Sequence, residues 1–205
     1  MHEPVPHLIL ASTSRYRREL LQRLRMPFDV VSPATDETPL AGERPAQLSE
    51  RLAMAKARAV ACLHPSSIVI GSDQVAECDG ESIGKPHVHE RAVAQLRQMS
   101  GRTVAFHTAV AVVHLDAGFA RCVRVPVEVR FRALADADIQ AYLRLEQPYD
   151  CAGSAKCETL GISLLDAIRS DDPTALIGLP LIATSALLRD AGADPLRWAG
   201  ADRGC

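Results

Sequence analysis

The sequence predicts an α/β fold built on a mixed β-sheet, and three observations lead there. Short continuous apolar runs, Leu8-Ile9-Leu10-Ala11 and Ser67-Ile68-Val69-Ile70-Gly71, read as buried strands. Segments of helical period follow the strand runs. Two long β-rich stretches, Thr103 to Leu115 and Phe119 to Phe131, meet at Asp116-Ala117-Gly118, the pattern of an antiparallel hairpin. Strand–helix alternation with a long antiparallel insert gives a mixed sheet flanked by helices.

The elements follow in order. After the first strand, Ser12-Thr13-Ser14 is a polar loop, and Tyr16 to Arg25 carries Leu20, Leu21 and Leu24 at helical spacing. Phe28 to Val31 reads as a second strand. Pro45 suits the first turn of a helix that runs to about Leu63. The buried strand from Ser67 is expected to end at Ser72-Asp73, and Asp79-Gly80 to form a hairpin turn. His89 to Met99 and Asp136 to Leu145 are helical, and Gly161 to Leu165 is a short strand candidate. Leu181 to Arg189 forms a last helix before a polar tail.

At 205 residues the chain reads as one domain, 1–205, with the tail set off from about 197. That length buries a core without disulfide or metal staples. A net charge of −2 argues against a chain-wide nucleic-acid or anionic-membrane footprint. Aromatic residues make up 4%, too few for a platform on which bases stack. Apolar runs fall well short of the ~20 residues of a membrane span. Met1-His2-Glu3-Pro4 lacks the basic-then-apolar pattern of a secretory signal. Six scattered cysteines form no Cys-x-x-Cys pair, as expected of reduced thiols in a cytoplasmic protein.

Several charges sit where apolar residues belong. On a helical wheel Arg17 falls inside the arc of Leu20, Leu21 and Leu24, in a first turn where a cation opposes the helix dipole. The hydroxyls and N–H groups of Ser12-Thr13-Ser14 ahead of it could seat a phosphate; an arginine snorkelling at the edge of the core is the plainer reading. Lys56 lies within the stripe of Leu48, Leu52, Val60 and Leu63. A lysine there is desolvated unless it meets a carboxylate or a phosphate.

Asp73, at the carboxyl end of a strand, is placed either to bind a divalent ion or orient a water, or to cap a turn. Lys85 stands in a loop stiffened by Gly84 and Pro86. The loop Asp150 to Glu158 either forms a plain turn or brings Asp150, Lys156 and Glu158 into a cleft. His87-x-His89 has no third ligand nearby, and Ser14 lacks a nucleophile elbow. Three cations, a phosphate-type loop and carboxylates together suit a triphosphate with a divalent metal.

These residues resemble a known family. Leu10-Ala11-Ser12-Thr13-Ser14-Arg15-Tyr16-Arg17-Arg18, Asp36-Glu37-Thr38-Pro39, Leu52-Ala53-Met54-Ala55-Lys56-Ala57 and Ile70-Gly71-Ser72-Asp73-Gln74-Val75 carry the resemblance. Gly84-Lys85-Pro86, Asp150-Cys151-Ala152-Gly153-Ser154 and Gly178-Leu179-Pro180-Leu181 complete it. The chain resembles the Maf family of nucleoside triphosphate pyrophosphatases, in particular the group acting on 7-methyl-GTP. The resemblance implies a long mixed sheet in two lobes around a cleft, similar to the inosine triphosphate pyrophosphatases. It implies hydrolysis between the α- and β-phosphates with Mg²⁺ or Mn²⁺, in a cytoplasmic homodimer.

By the same resemblance, Asp73 is the proton acceptor, and Arg17, Lys56 and Lys85 act on the phosphates. Ser12 and Ser14 also bind substrate, and Asp73 and Glu43 hold the metal. Tyr16, Gln74 and Glu158 stand where that group has Trp, Gln and Glu, and where the dTTP/UTP group has Arg, Thr and Gln. A base made cationic by N7-methylation suits an aromatic ring and a carboxylate. The chain departs from the family at Arg15 (usually Pro), Tyr16 (usually Trp), Ala155 (usually Phe), Cys157 (usually Ser) and Thr159 (usually Gly). A pyrophosphatase acting on dTTP/UTP and a nucleotide-binding regulator of septum formation are the alternative readings.

Overall fold

The structure, a computed structural model, describes residues 6–201. Seven strands form one mixed sheet: β1 (Leu8–Ala11), β2 (Asp29–Val31), β3 (Ile68–Cys78), β4 (Glu81–Ile83), β5 (Thr103–His114), β6 (Phe119–Phe131) and β7 (Leu165–Arg169). Six helices pack on it: α1 (Arg15–Gln22), α2 (Pro45–Ala61), α3 (His89–Met99), α4 (Asp136–Glu146), α5 (Leu181–Asp190) and α6 (Pro195–Ala201). The strand order is β2-β1-β3-β5-β6-β7, with β4 paired to β3. β1 pairs parallel with β2 and β3, and the other pairs are antiparallel. The predicted mixed α/β sheet is the observed one.

Side-chain alternation sorts the sheet's two faces. Val69, Ala109, Ala111 and Val113 face α2, where Ala53, Ala57 and Val60 meet them. Gly71 lies under the same helix. A Cβ there would stand 2.3 Å from the Ala53 carbonyl oxygen and 2.6 Å from the Ala57 nitrogen, so only glycine lets α2 approach this closely. On the opposite face the core divides. Leu8, Ile70, Val110 and Val112 pack with Leu20, Leu21, Leu187 and Leu188 of α1 and α5. Phe106, Val127, Val129 and Phe131 pack with Leu96, Met99, Ile139 and Leu143 of α3 and α4. These two clusters are the cores of two lobes on one sheet.

Three expectations are corrected. The strand from Ile68 does not end at Asp73: the ladder with β5 runs from Val69 to Glu77 and carries it on to Cys78. Gly161 to Leu165 is not a strand. Leu160–Leu164 is a 3₁₀ turn, and pairing with β6 spans Leu165 to Arg169. A Cβ at Gly161 would lie 2.5 Å from the Lys156 carbonyl oxygen, so close loop packing explains that glycine. The polar tail begins as helix α6, opened by Asp194 accepting from Leu196 N at 3.0 Å, and Trp198 packs on the α1/α5 core. The N-terminal residues 1–5 and the tail beyond 201 lie outside the described residues.

Candidate active site

The sheet leaves a gap on one edge of β3. β1 stops at its pair with Gly71, and β4 begins at its pair with Ala76. Ser72 to Val75 therefore have no strand partner on that side. A cleft of about 990 Å³ opens there, lined among others by Ser12, Ser14, Tyr16, Arg17, Glu37, Lys56, Asp73, Gln74 and Lys85. Although β3 continues, Asp73 still lies just past the carboxyl end of β1, where open α/β sheets hold their ligands.

Consecutive residues of a strand face opposite ways, and the site uses this at Asp73 and Gln74. Asp73 turns to the α2 side, where Lys56 Nζ donates to Oδ1 at 2.7 Å. Both side chains are nearly out of solvent, at 6% and 9% exposed. The anomaly of a lysine on an apolar stripe resolves here. Lys56 Nζ also reaches Glu37 Oε1 at 2.6 Å, so one ammonium holds two carboxylates. Burial works to raise the Glu37 pKa, but the Lys56 hydrogen bond and the charges of Lys56, Lys85 and Arg17 leave it below the usual carboxylate value.

Gln74 turns to the other side. Its Nε2 lies 2.9 Å from Thr108 Oγ1, 3.0 Å from the Ala175 carbonyl and 2.9 Å from the Leu176 carbonyl. The amide nitrogen is committed, so the carbonyl oxygen is what Gln74 can present to a ligand.

Arg17 follows an N-terminus capped from within. Ser14 Oγ accepts from Arg17 N at 3.4 Å, and Ser12 Oγ accepts from Ser14 N at 3.2 Å. No acidic residue occupies the first turn of α1, so nothing there competes with an anion for the helix dipole. Arg17 Nε donates to the Gly178 carbonyl at 2.9 Å. Burial lowers its pKa, opposed by the charges of Asp73 and Glu37. Lys85 lies on the exposed rim, and Gln95 Nε2 donates to the Gly84 carbonyl beside it at 3.0 Å.

A smaller cavity of about 90 Å³ adjoins the cleft, lined by Tyr16, Gln74, Phe106, Asp150, Cys151, Glu158 and Leu176 among others. Tyr16 OH lies 3.3 Å from Asp150 Oδ2, and the Arg15 guanidinium stacks 4.7 Å from the Tyr16 ring centroid. Burial pushes the Tyr16 pKa to about 12 and the Cys151 thiol to about 11. Of the charged residues in this loop, Asp150 and Glu158 reach the cavity. Lys156 pairs with Glu146 at 2.8 Å, and its Nζ stands 5.9 Å from the Tyr16 ring centroid.

Nine of the ten expected site residues line the two cavities: Ser12, Ser14, Tyr16, Arg17, Lys56, Asp73, Gln74, Lys85 and Glu158. Glu43 does not. Its carboxylate takes Arg51 Nε at 2.6 Å and Arg51 NH2 at 2.8 Å, and accepts from Leu40 N at 3.0 Å. The acidic partner beside Asp73 is Glu37, which the sequence reading placed in a motif without a role. Two carboxylates bound to one buried ammonium need the chain to fold back from residue 37 to 73, and local spacing does not reveal that. Asp150 is the other residue given no definite place.

Comparison with known proteins shows the family. A family model described as Maf-like protein matches residues 7–191. Relatives named 7-methyl-GTP pyrophosphatase include one from Albidiferax ferrireducens, 62% identical over 193 residues, covering 94% of this chain and 97% of the relative. Another, from Polaromonas sp., is 64% identical over 185 residues and covers 90% and 84%. A third, from Bordetella pertussis, is 62% identical over 191 residues and covers 93% and 95%. A solved structure of the Staphylococcus aureus Ham1 protein aligns with a TM-score of 0.45 at 17% identity, covering 63% of this chain and 72% of that one. With nearly its whole length matched by the family model and by these relatives, the chain belongs to the family of Maf-like proteins.

Proposed function

We propose that this chain hydrolyses 7-methyl-GTP to 7-methyl-GMP and pyrophosphate, with Asp73 as the proton acceptor. The observation that carries the reading is the buried Lys56–Asp73 pair at the wall of a cleft that also holds Arg17, Glu37 and Lys85. Lys56 engages Oδ1 of Asp73, so Oδ2 is the oxygen placed to take a proton from water. That water attacks the α-phosphorus. Its oxygen forms the new P–O bond, the bond to the bridging oxygen breaks, and pyrophosphate leaves with the electron pair. Arg17 and Lys85 offset the charge on the phosphates, and the N–H groups of the Ser12–Ser14 loop add donors.

A divalent ion, Mg²⁺ or Mn²⁺, fits these residues. Among the described residues no group of three or more His, Cys, Asp or Glu side chains could hold an ion alone. Glu37 and Asp73 together supply carboxylates from two directions, and Mg²⁺ is commonly held by one or two carboxylates with substrate phosphates and water. When bound, the ion neutralises phosphate charge and polarises the phosphoryl group. Glu37 replaces Glu43 as the second ligand in this reading.

Base selection belongs to the smaller cavity. Asp150 and Glu158 line it together with Arg17 and Lys85, and the two carboxylates are the groups that favour a purine made cationic at N7. Tyr16 offers a ring, and Gln74 a carbonyl oxygen. The relatives' names, 7-methyl-GTP pyrophosphatase, support the same substrate. The family resemblance further suggests a homodimer working in the cytoplasm. No helix among the described residues is long and apolar enough to cross a membrane. Hydrolysis in ¹⁸O-water tests the chemistry. Label in 7-methyl-GMP is expected, and label in pyrophosphate would move the attack to the β-phosphorus and overturn the assignment.

A further inference from the structure

We infer that Asp172, outside the cleft, is the positioning residue that sets both Arg17 and Gln74 through the loop between β7 and α5. The inference rests on the pyrophosphatase reading of the cleft. Asp172 is 2% exposed and lines neither cavity. A carboxylate so deeply buried needs a full set of donors, and it has them. Oδ2 accepts from Ile182 N at 2.7 Å and Ala183 N at 3.3 Å. Oδ1 accepts from Thr174 N at 3.1 Å and lies 2.7 Å from Thr174 Oγ1. Thr174 Oγ1 in turn accepts from Leu181 N at 2.8 Å.

The consequence for α5 is direct. A helix leaves its first N–H groups without intrahelical partners, and the residue at its N-cap, Pro180, has no side chain that can serve them. Asp172 and Thr174 between them satisfy Leu181, Ile182 and Ala183. The two ends of the loop are thereby tied to one carboxylate.

What lies inside the loop gives this tie its purpose. The Ala175 and Leu176 carbonyls hold the Gln74 amide. The Gly178 carbonyl accepts from Arg17 Nε at 2.9 Å and from Ser72 Oγ at 2.9 Å. Gly178 has φ +121, a conformation that side-chain-bearing residues rarely adopt, so the path of the loop at that carbonyl is specific. Gln74 and Arg17 each line both the cleft and the smaller cavity. One buried carboxylate therefore sets the acceptors that orient two residues lining the candidate site.

Asp172→Asn keeps the size of the side chain but puts an NH₂ group where an oxygen must accept on one side. The test measures kcat/KM for 7-methyl-GTP and GTP in a double-mutant cycle with Gln74→Ala. The expected result is a loss of at least ~10-fold in kcat/KM and a lower 7-methyl-GTP/GTP ratio. In the Gln74→Ala background Asp172→Asn should no longer change that ratio, since coupled residues are non-additive. An equal change of the 7-methyl-GTP/GTP ratio in both backgrounds, or kcat/KM within ~2-fold of wild type in the folded variant, would overturn the inference.

If Asp172→Asn does not fold, Thr174→Val interrupts the same path more gently and should shift the ratio the same way; an unchanged ratio counts against it. Hydrogen exchange of segment 174–183 reads the loop claim without turnover. Exchange at least ~10-fold faster in Asp172→Asn is expected, and unchanged exchange contradicts the claim. Turnover by wild-type protein on the same substrates separately decides the pyrophosphatase reading.

Discussion

Lys56 Nζ stands 2.7 Å from Asp73 Oδ1, and the second contact of that ammonium, 2.6 Å from Glu37 Oε1, makes it the hub of the cleft's acidic side. The three residues come from α2, β3 and the segment after β2. Their meeting depends on how closely α2 lies on the sheet at Gly71.

Asp73→Asn should abolish most turnover while the protein stays folded. General-base catalysis contributes ~10²–10⁴-fold, so a loss of at least ~100-fold is expected. Asparagine retains an acceptor for Lys56, and Glu37 still pairs with the ammonium, so far-UV circular dichroism should be unchanged. Turnover within ~3-fold of wild type would remove Asp73 from proton transfer.

Gly71→Ala should destabilise the protein and lower its activity. The added methyl would meet backbone atoms of α2 at 2.3 and 2.6 Å, atoms that cannot turn aside as a side chain can. Overpacking typically costs ~1–3 kcal/mol, and here the helix carrying Lys56 must move. Thermal unfolding checks it: a Tm equal to wild type would show that α2 has room the structure does not give it.

Glu43→Gln distinguishes a loop brace from a metal ligand. The Arg51 guanidinium holds the Glu43 carboxyl well below the usual carboxylate value of 4.5, at about 2. A depressed folded-state pKa means the contribution to stability is complete above pH 4.5 and is lost as pH falls through about 2. The Tm gap between wild type and Glu43→Gln should thus be full at pH 7 and shrink in acid. The Mg²⁺ concentration for half-maximal activity should not move. A large rise in it would return Glu43 to the metal.

Thr35→Val should stabilise the protein. Thr35 Oγ1 is buried with no hydrogen-bond partner among the described residues, and valine replaces that hydroxyl with a methyl of similar shape. Removing an unsatisfied buried group is worth about 1 kcal/mol. For a chain of this size that amounts to ~2–4 °C in Tm. A Tm below wild type would mean the hydroxyl has a partner after all.

Much of this was legible in the residues themselves. Uniform apolar runs marked β1 and the start of β3, and helical period marked α1 to α5, because each buries a face of definite width. Arg17 and Lys56 were conspicuous as charges on apolar stripes, and both line the cleft. The length of β3 was hidden, because Asp73 and Gln74 look like a strand's end until β5 is known to pair beyond them. Glu37 was hidden because its significance depends on Lys56, which reaches it only after folding. Helix α6 was hidden because its one large apolar contact is Trp198, too little for a periodic signal.

The most direct measurement is pyrophosphate release by the wild-type protein with Mg²⁺ from 7-methyl-GTP, GTP, dTTP and UTP. The account predicts pyrophosphate and 7-methyl-GMP in equal amounts, with 7-methyl-GTP favoured over each of the others by more than about tenfold in kcat/KM, or ~1.4 kcal/mol. Preference for the pyrimidine triphosphates would contradict the base selection assigned to Tyr16, Gln74 and Glu158, and release of orthophosphate in place of pyrophosphate would contradict the chemistry assigned to Asp73.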